Sequence, residues 1–394
     1  MMNMIRCALT ENILTVFLPE RVDTVNASVL GDEMTAALSE NPHGSVILNA
    51  EKLQYISSAG LRAVLRVKKA EKDMKIVGVC AEVYEIFDMT GFTELMPIEK
   101  AYRRLSVEGC DIIGKGAKGT VYRYNADTIL KVYKNPDSLP DIKRERELAR
   151  RAFVLGIPTA IPYDVVKVGE GYGSVFELLN AKSFASLIKA EPEHLDDYIE
   201  LSVNLLRKIH STVVRPGDMP DMRDVAIGWA EFLREYLPQD KGEKLVSLVR
   251  AVPVDYHMLH GDYHQKNVMM QNGEVLLIDM DTLCHGHPVF ELASMFNAYV
   301  GFSTLDHSAV EKFLGISYET ANTIWSKSLA LYLGTDDPAR IAEVENKAKL
   351  VGYTRLMRRL IRRHGLETEE GRAEVEIYRE NILSLLDEID TLVF

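Results

Sequence analysis

The sequence is poor in several features that would have narrowed its function at once. It has only four cysteines, Cys7, Cys80, Cys110 and Cys284, scattered without a C-x-x-C pair. That spacing points to reduced, mostly buried thiols in a cytoplasmic protein. It has no apolar run approaching ~18 residues, so no membrane span is expected. Met1 to Thr10 lacks the pattern of a secretory leader. Basic residues are in deficit: the formal net charge is −12 over 394 residues. This argues against nonspecific nucleic-acid or anionic-membrane binding and is weakly compatible with cationic substrates, though a solvated surface explains it equally well. Low-complexity segments and internal repeats are also missing, and the length suggests two or three domains.

The most informative stretch is His260-Gly261-Asp262-Tyr263-His264-Gln265-Lys266-Asn267, followed by Leu276-Leu277-Ile278-Asp279. An Asp with an Asn five residues later reads as a loop, and a short apolar run then delivers a second Asp. Phosphoryl transfer from a nucleotide needs such a set. One carboxylate receives or orients the acceptor hydroxyl proton, while an amide oxygen and a second carboxylate hold magnesium against the phosphates. A hairpin with polar turn residues is the plain alternative, and the upstream sequence decides between them.

Upstream, Ile112 to Tyr122 reads as strand, glycine turn, strand in the pattern G-x-G-x-x-G-x-V, with Gly114, Gly116, Gly119 and Val121. Glycines let a backbone approach phosphates without a Cβ in the way. β-favouring residues follow, not a helix, which excludes a dinucleotide fingerprint and favours a loop folded over nucleotide phosphates. Lys131 lies alone in the apolar strand Thr128 to Tyr133 and suits a lysine reaching the phosphates. In the helix Asp141 to Leu155, Ile142, Glu145, Ala149 and Ala152 share one face. A carboxylate on that face needs a cation, so Glu145 is the expected partner of Lys131, with Glu147 as fallback. Leu179 to Ser183 reads as a linker that would receive adenine, and helices dominate afterwards. His210 reads as a satisfied core histidine. His257, His260 and His264 raise a zinc reading that lacks a fourth ligand, and His285 with His287 reads as a polar turn.

In the first hundred residues strand and helix patterns alternate: strands at Ile13 to Leu18, Ser45 to Ala50 and Lys75 to Cys80, helices at Asn26 to Glu40, Ala59 to Lys72 and Ala81 to Met89. A small α/β sheet domain follows. Its sharpest feature is Tyr55-Ile56-Ser57-Ser58-Ala59-Gly60-Leu61, where two serines open a helix. Either serine could cap the helix, and backbone N–H groups with the helix dipole there also favour a phosphate.

These residues carry two resemblances. Val46-Ile47-Leu48-Asn49, Tyr55 to Leu61, Val77 to Cys80 and Ile86 to Phe92 resemble the STAS domain of bacterial anti-sigma-factor antagonists. In that family the second position of a D-S-[SA]-G-[LI] loop is phosphorylated by a partner kinase. The resemblance places that position at Ser58 and sets Asp23 beside it, with Ser57 where many members have Asp. Gly114 to Val121, Lys131, Glu145, Leu259 to Asn267, Leu277-Ile278-Asp279 and Leu205 to His210 resemble the aminoglycoside/choline phosphotransferase branch of the protein-kinase-like fold. This second resemblance implies ATP and Mg²⁺ as cofactors. It makes Asp262 the catalytic base, Asn267 and Asp279 the metal ligands, and Gly114, Gly116, Gly119, Val121, Lys131 and Glu145 the ATP site.

His260-Gly261-Asp262 stands in place of His-Arg-Asp, and Asp279-Met280-Asp281 in place of Asp-Phe-Gly. No Ala-Pro-Glu follows, which favours small-molecule phosphotransferases over regulated protein kinases. Glu291 stands where the branch usually shows Asp, with an effect expected on structure more than on chemistry.

The expected architecture is an α/β STAS domain with a mixed sheet (1–107), then a two-lobed α+β kinase-like domain (108–394; lobes about 108–178 and 183–394). The expected activity is phosphoryl transfer from ATP to a hydroxyl acceptor, a small molecule in the leading reading and a STAS serine in the second. The expected partners are nucleotide, acceptor and a protein bound through the STAS domain, with no nucleic acid or membrane. Finally, Arg355, Arg358, Arg359, Arg362 and Arg363 form a basic helical stripe. It reads as a solvated face, an acidic-partner surface or part of a substrate cleft.

Overall fold

The computed structural model describes residues 5–116 and 118–394. By their contacts they fall into two units, Met1–Ser106 with Val165–Glu170 and Val107–Asp164 with Gly171–Phe394. The tip of the glycine turn, Ala117, lies outside the described residues, as does the start of the segment read for a leader.

The first unit begins with a hairpin of β1 (Arg6–Thr10) and β2 (Ile13–Phe17), turned at Glu11 and Asn12, both at positive φ. It continues with β3 (Arg21–Val22), α1 (Ala27–Glu40), β4 (Ser45–Asn49), β5 (Tyr55–Ile56), α2 (Ser58–Ala70), β6 (Met74–Val79), α3 (Ala81–Met89), α4 (Phe92–Leu95), β7 (Ile98–Lys100) and β8 (Arg104–Leu105). The main sheet has the order β1-β2-β4-β6-β7, antiparallel only between β1 and β2. It is the mixed sheet with helices that the sequence pattern implies. Alternate residues of its strands, Leu14, Val16, Val46, Leu48 and Ile76, are buried in one core with Leu30, Met34, Val64 and Val67 from the helices. Each such side chain contributes about 1.5–3 kcal/mol by leaving water. Beside this sheet, β3 and β5 pair in parallel, Val22 opposite Ile56, so that β5 enters the Ser57-Ser58 turn next to the Asp23 that follows β3.

The second unit opens with β9 (Asp111–Lys115), β10 (Gly119–Arg123) and β11 (Thr128–Tyr133), antiparallel neighbours in that order. After α5 (Leu139–Val154) comes β12 (Pro162–Val168), whose first three residues belong to this unit, and then β13 (Gly171–Glu177), antiparallel to β11. The buried face of α5 is Ile142, Glu145, Leu148, Ala149 and Ala152, the helical spacing seen in the sequence.

The rest of this unit is mainly helical: β14 (Lys182–Ser183), α6 (Phe184–Ala190), α7 (Leu195–His210), α8 (Met222–Leu233), α9 (Gln239–Ala251), β15 (Met258–Leu259), β16 (Val268–Gln271), β17 (Glu274–Leu277), β18 (Cys284–His285), α10 (Val289–Tyr299), α11 (Ser308–Leu314), α12 (Tyr318–Leu333), α13 (Pro338–Arg362) and α14 (Glu369–Glu388). The segment read as an open linker ends in β14, where Lys182 pairs with Met270 and Ser183 with Met269. Helix α10 is buried at every position and packs on α13, whose Gly352 lies so near Phe296 and Asn297 that a Cβ would sit 2.8 Å from each. Among the described residues no helix is long and apolar enough to cross a membrane.

Candidate active site

The first wall of the site is the β9–β11 sheet. In β10, Gly119 sits so close to the Val132 carbonyl that no Cβ fits, and its own carbonyl accepts from the Gly116 N–H (2.9 Å). Gly114 faces Val121 across the ladder, and a Cβ at Gly116 would meet no atom closer than 3.9 Å. Close packing therefore requires glycine at 119, while the chain around Gly116 has open space. Val121 pairs with Lys131 in β11. The Lys131 Nζ lies 2.7 Å from Glu145 Oε1 and 3.3 Å from Asp279 Oδ1. The second Glu145 oxygen accepts from the Tyr133 hydroxyl at 2.6 Å. Burial alone would lower the Lys131 pKa, but Glu145, then Asp279 and Asp281, outweigh it and hold the ammonium protonated. Burial and the Glu145 charge likewise push the Tyr133 phenol well up. Glu147 instead faces outward and binds Arg150 and Arg151.

The second wall is the loop between β15 and β16. Asn267 donates its Nδ2 to the Asp262 carbonyl (3.0 Å), which leaves Asn267 Oδ1 as its remaining acceptor. The Asp262 side chain is partly exposed, with His264 Nε2 at 3.6 Å. Burial raises its pKa, but the His264 hydrogen bond and charge, then His260 and Arg355, bring it down to about 2. Asp262 is thus an anion at any physiological pH.

The loop is pinned along its length. Glu291 of α10, fully buried, accepts the backbone N–H groups of His260 and of Gly261, the latter at 3.0 Å. Burial raises the Glu291 pKa, yet His210, His260 and the Gly261 N–H together lower it on balance. The His260 carbonyl accepts from Thr282 Oγ1 (2.7 Å), and the Gly261 carbonyl from Ser294 Oγ (3.0 Å) and Arg355 Nη1 (3.4 Å). Gly261 has φ +81°, and a Cβ there would lie 2.5 Å from the Thr282 carbonyl oxygen. This explains a glycine where His-Arg-Asp would place arginine. Nothing in the sequence assigned these anchoring roles to Thr282, Ser294 or Arg355. Glu291 left one signal, a lone carboxylate in the apolar run Val289 to Ala293.

His210 is buried, binds the Tyr332 hydroxyl through Nδ1 (2.7 Å) and stands 3.8 Å from Glu291, so it is a core histidine that also faces the anchor. His257, His260 and His264 have separate surroundings: His257 binds Asp255, His260 Nε2 meets the Ile278 carbonyl, and His264 packs edge-on against Phe313. Among the described residues no three His, Cys, Asp or Glu side chains form a metal-holding group. The polar-turn reading of His285 and His287 is corrected. Both are buried, His285 inside β18 with Nδ1 on the Asp255 carbonyl (2.6 Å), because β18 pairs with β15 beneath the loop.

Asp279 lies two residues beyond β17 and adopts the left-handed conformation, φ +65° and ψ +63°. For a non-glycine residue this costs on the order of 1 kcal/mol or more. The conformation turns its carboxylate back toward Lys131. Asp281, two residues on, binds Lys118 beside the glycine turn. One cluster therefore holds Lys131, Glu145 and Asp279, and the adjoining loop holds Asp262 and Asn267. The donors open to a metal are an amide oxygen and a carboxylate, hard oxygens suited to Mg²⁺ with phosphates and water completing its shell.

In the first unit, Ser57 caps α2: its Oγ accepts from the Gly60 N–H at 3.3 Å. Ser58 is the first helical residue and is exposed. The parallel β3–β5 pair, with the Ser57 N–H on the Val22 carbonyl (2.8 Å), brings Asp23 alongside. Hydrogen bonds from the Val25 N–H and from Arg21 hold the Asp23 pKa down.

Comparisons with known proteins match both parts of the chain. The profile of the phosphotransferase enzyme family matches residues 110–314, and that of the STAS domain matches residues 5–105. Over 92 residues the chain is 34% identical to a Bordetella bronchiseptica protein provisionally named anti-sigma factor antagonist BtrV, a match covering 22% of this chain and 78% of BtrV. Similar solved structures include a streptomycin–ATP–APH(2")-IIa ternary complex, at 15% identity and a TM-score of 0.45, covering 80% of this chain and 98% of that one. Another is a choline/ethanolamine kinase family protein from Mesorhizobium loti, at 14% identity and a TM-score of 0.46, covering 71% and 88%. With more than half of its residues matched, the chain belongs to the phosphotransferase enzyme family, and its first unit is a STAS domain.

Proposed function

We propose that this phosphotransferase moves the γ-phosphoryl group of ATP to a hydroxyl of a small molecule in a Mg²⁺-dependent reaction regulated by the STAS domain. The observation that carries this reading is Lys131, held between Glu145 at 2.7 Å and Asp279 at 3.3 Å on the strand next to the glycine turn's own strand. A cation so placed can meet the phosphates that the turn covers. Asn267 Oδ1 and the Asp279 carboxylate are the donors that would hold Mg²⁺, which when bound supplies neutralisation of phosphate charge.

The Asp262 carboxylate, with a pKa of about 2, is a weak base. It accepts a hydrogen bond from the acceptor hydroxyl and orients it. The hydroxyl proton passes to Asp262 as the new oxygen–phosphorus bond forms and the bond to the ADP oxygen breaks. Glu291, Thr282, Ser294 and Arg355 keep the carboxylate in place without touching the reacting atoms.

A second reading is favoured by one observation at the other serine pair. Because Ser57 makes the cap, the exposed Ser58 hydroxyl is free to accept a phosphoryl group. A phosphate there would gain helix N-terminal N–H groups.

Labelled ATP distinguishes the readings. ATP with Mg²⁺ should raise the melting temperature of the wild type, since ligand at ~100 times its Kd adds about 2.7 kcal/mol. Asp262→Asn should keep that shift and lose turnover by about 10²–10⁴. Label recovered in a small hydroxyl compound supports the first reading. One added phosphate by intact mass, lost in Ser58→Ala and kept in Ser57→Ala, supports the second. No ATP-induced shift, or full turnover by Asp262→Asn, would falsify the site assignment.

A further inference from the structure

Helix α13 carries Arg355, Arg358, Arg359, Arg362 and Arg363 in a chain of net charge −12. Earlier on the same helix every comparable cation has an acid: Arg340 and Lys347 bind Glu343, and Lys349 binds Glu345. Among the described residues the five later arginines form no ion pair with any carboxylate. Arg355 is committed to the Gly261 carbonyl and Ser294, and Arg358 and Arg359 lie over the rings of Phe232 and Phe302. Like charges spaced i,i+4 destabilise a helix by a few tenths of a kcal/mol per pair. Two such rows run here, 355-359-363 and 358-362.

The first row begins at the catalytic loop. Arg355 reaches the carbonyl of Gly261, the residue before Asp262. A chain of ring contacts also leads from Arg359 toward Asp262. The Arg359 guanidinium lies 5.0 Å over Phe302, Phe302 meets Phe313 edge-on at 5.9 Å, and Phe313 meets His264 at 5.0 Å. His264 Nε2 is 3.6 Å from Asp262. The row thus leads from Asp262 outward along an aromatic wall to the exposed Arg363. Burial, then the Arg363 and Arg355 charges, depress the Arg359 pKa, and Asp262 is the carboxylate that opposes them. Guanidinium groups remain charged under such crowding, and their fork matches the oxygens of a phosphate or carboxylate.

We propose that the acceptor bears an anionic group, phosphate or carboxylate, bound by Arg359 and Arg363, which stand about 6 and 12 Å along the helix beyond Arg355. The inference rests on the phosphotransferase reading and narrows it to hydroxyl compounds that carry negative charge. A polycationic acceptor would meet an uncompensated row of like charge.

The test uses the full chain saturated with Mg²⁺ and a non-hydrolysable ATP analogue, so that the phosphate positions of the nucleotide are filled. Titration calorimetry with inorganic phosphate and, separately, with acetate should show one saturable site for at least one of them. Its Kd should rise at least tenfold in the Arg359→Gln/Arg363→Gln double variant and recover in part in Arg359→Lys/Arg363→Lys. Analogue affinity and melting temperature serve as folding controls and should stay close to wild type. With labelled ATP, glycerol 3-phosphate or glycerate should accept phosphate faster than glycerol, choline or kanamycin. Saturable binding that is unchanged in the double variant, no saturable binding of either anion, or faster transfer to choline or kanamycin overturns the proposal. Failure of the analogue itself to bind overturns the underlying nucleotide-site reading as well, and so separates the two failures.

Discussion

Two short turns hold the residues to which the proposed chemistry is assigned, and they are held in opposite ways. The turn from β15 to Asn267 is largely buried and tied at the backbone groups of His260 and Gly261 by Glu291, Thr282, Ser294 and Arg355. The turn into α2 is tied at one side chain, Ser57, and leaves its neighbour Ser58 in solvent. A group that must meet many substrate molecules in one geometry gains from a rigid shell, because positioning is a large part of phosphoryl transfer. A group that is itself to be modified must be reachable, and rigidity around it would obstruct an enzyme. The STAS turn is thus open and singly tied, and the other turn is enclosed and multiply tied, the difference that the two proposed roles require.

Substitutions that cut each tie separately should rank in the order of this contrast. Glu291→Gln removes the buried charge that holds two backbone N–H groups, and loss of about 1.5–3 kcal/mol is expected from weakening such charge-assisted hydrogen bonds. The measurement is urea unfolding against pH. The folded Glu291 pKa lies below its unfolded value. Its contribution is thus complete above the ordinary carboxylate pKa and is lost as pH falls below it. The gap between wild type and Glu291→Gln should accordingly be wide at pH 7 and narrow below about pH 4. A gap that stays constant would show that the carboxylate charge is not the anchor.

Gly261→Ala comes next. The left-handed backbone costs about 1–2 kcal/mol for a residue with a Cβ. The Thr282 carbonyl, at 2.5 Å from that Cβ, must also move. A melting temperature equal to wild type would mean that the loop is looser than its contacts suggest. Ser57→Ala should cost about 1 kcal/mol, the usual value of a helix cap. Ser58→Ala should stay within about 0.5 kcal/mol. Equal losses at the two serines, by denaturant midpoint, would erase the distinction between the capping serine and the accessible one.

Much of this arrangement was legible before any coordinates. The G-x-G-x-x-G-x-V turn followed by β-formers, the lone lysine in an apolar strand and the inward Glu145 all follow from periodicity, which a sheet edge and an amphipathic helix impose directly on sequence. Other features left no such trace. Strand β1 is almost wholly exposed, so it lacks the alternation that marks a half-buried strand. His285 and His287 read as a polar turn because their neighbours are Gly286 and Pro288, but the pairing of β18 with β15 buries His285, and His287 packs edge-on against Phe394. The choice between Ser57 and Ser58 as cap depended on backbone direction at the turn, which two adjacent serines do not encode.

By itself the sequence determined which residues could do chemistry and roughly in which element each would stand, because spacing within a strand, helix or tight turn is local. Tertiary structure alone decided what those residues meet. It set Asp279 in the left-handed conformation against Lys131, placed Glu291 beneath the backbone of Gly261, and ran the arginines of α13 outward from Asp262. Those meetings join positions 30 to 148 residues apart. They depend on how packed elements cross, and local periodicity carries no information about that.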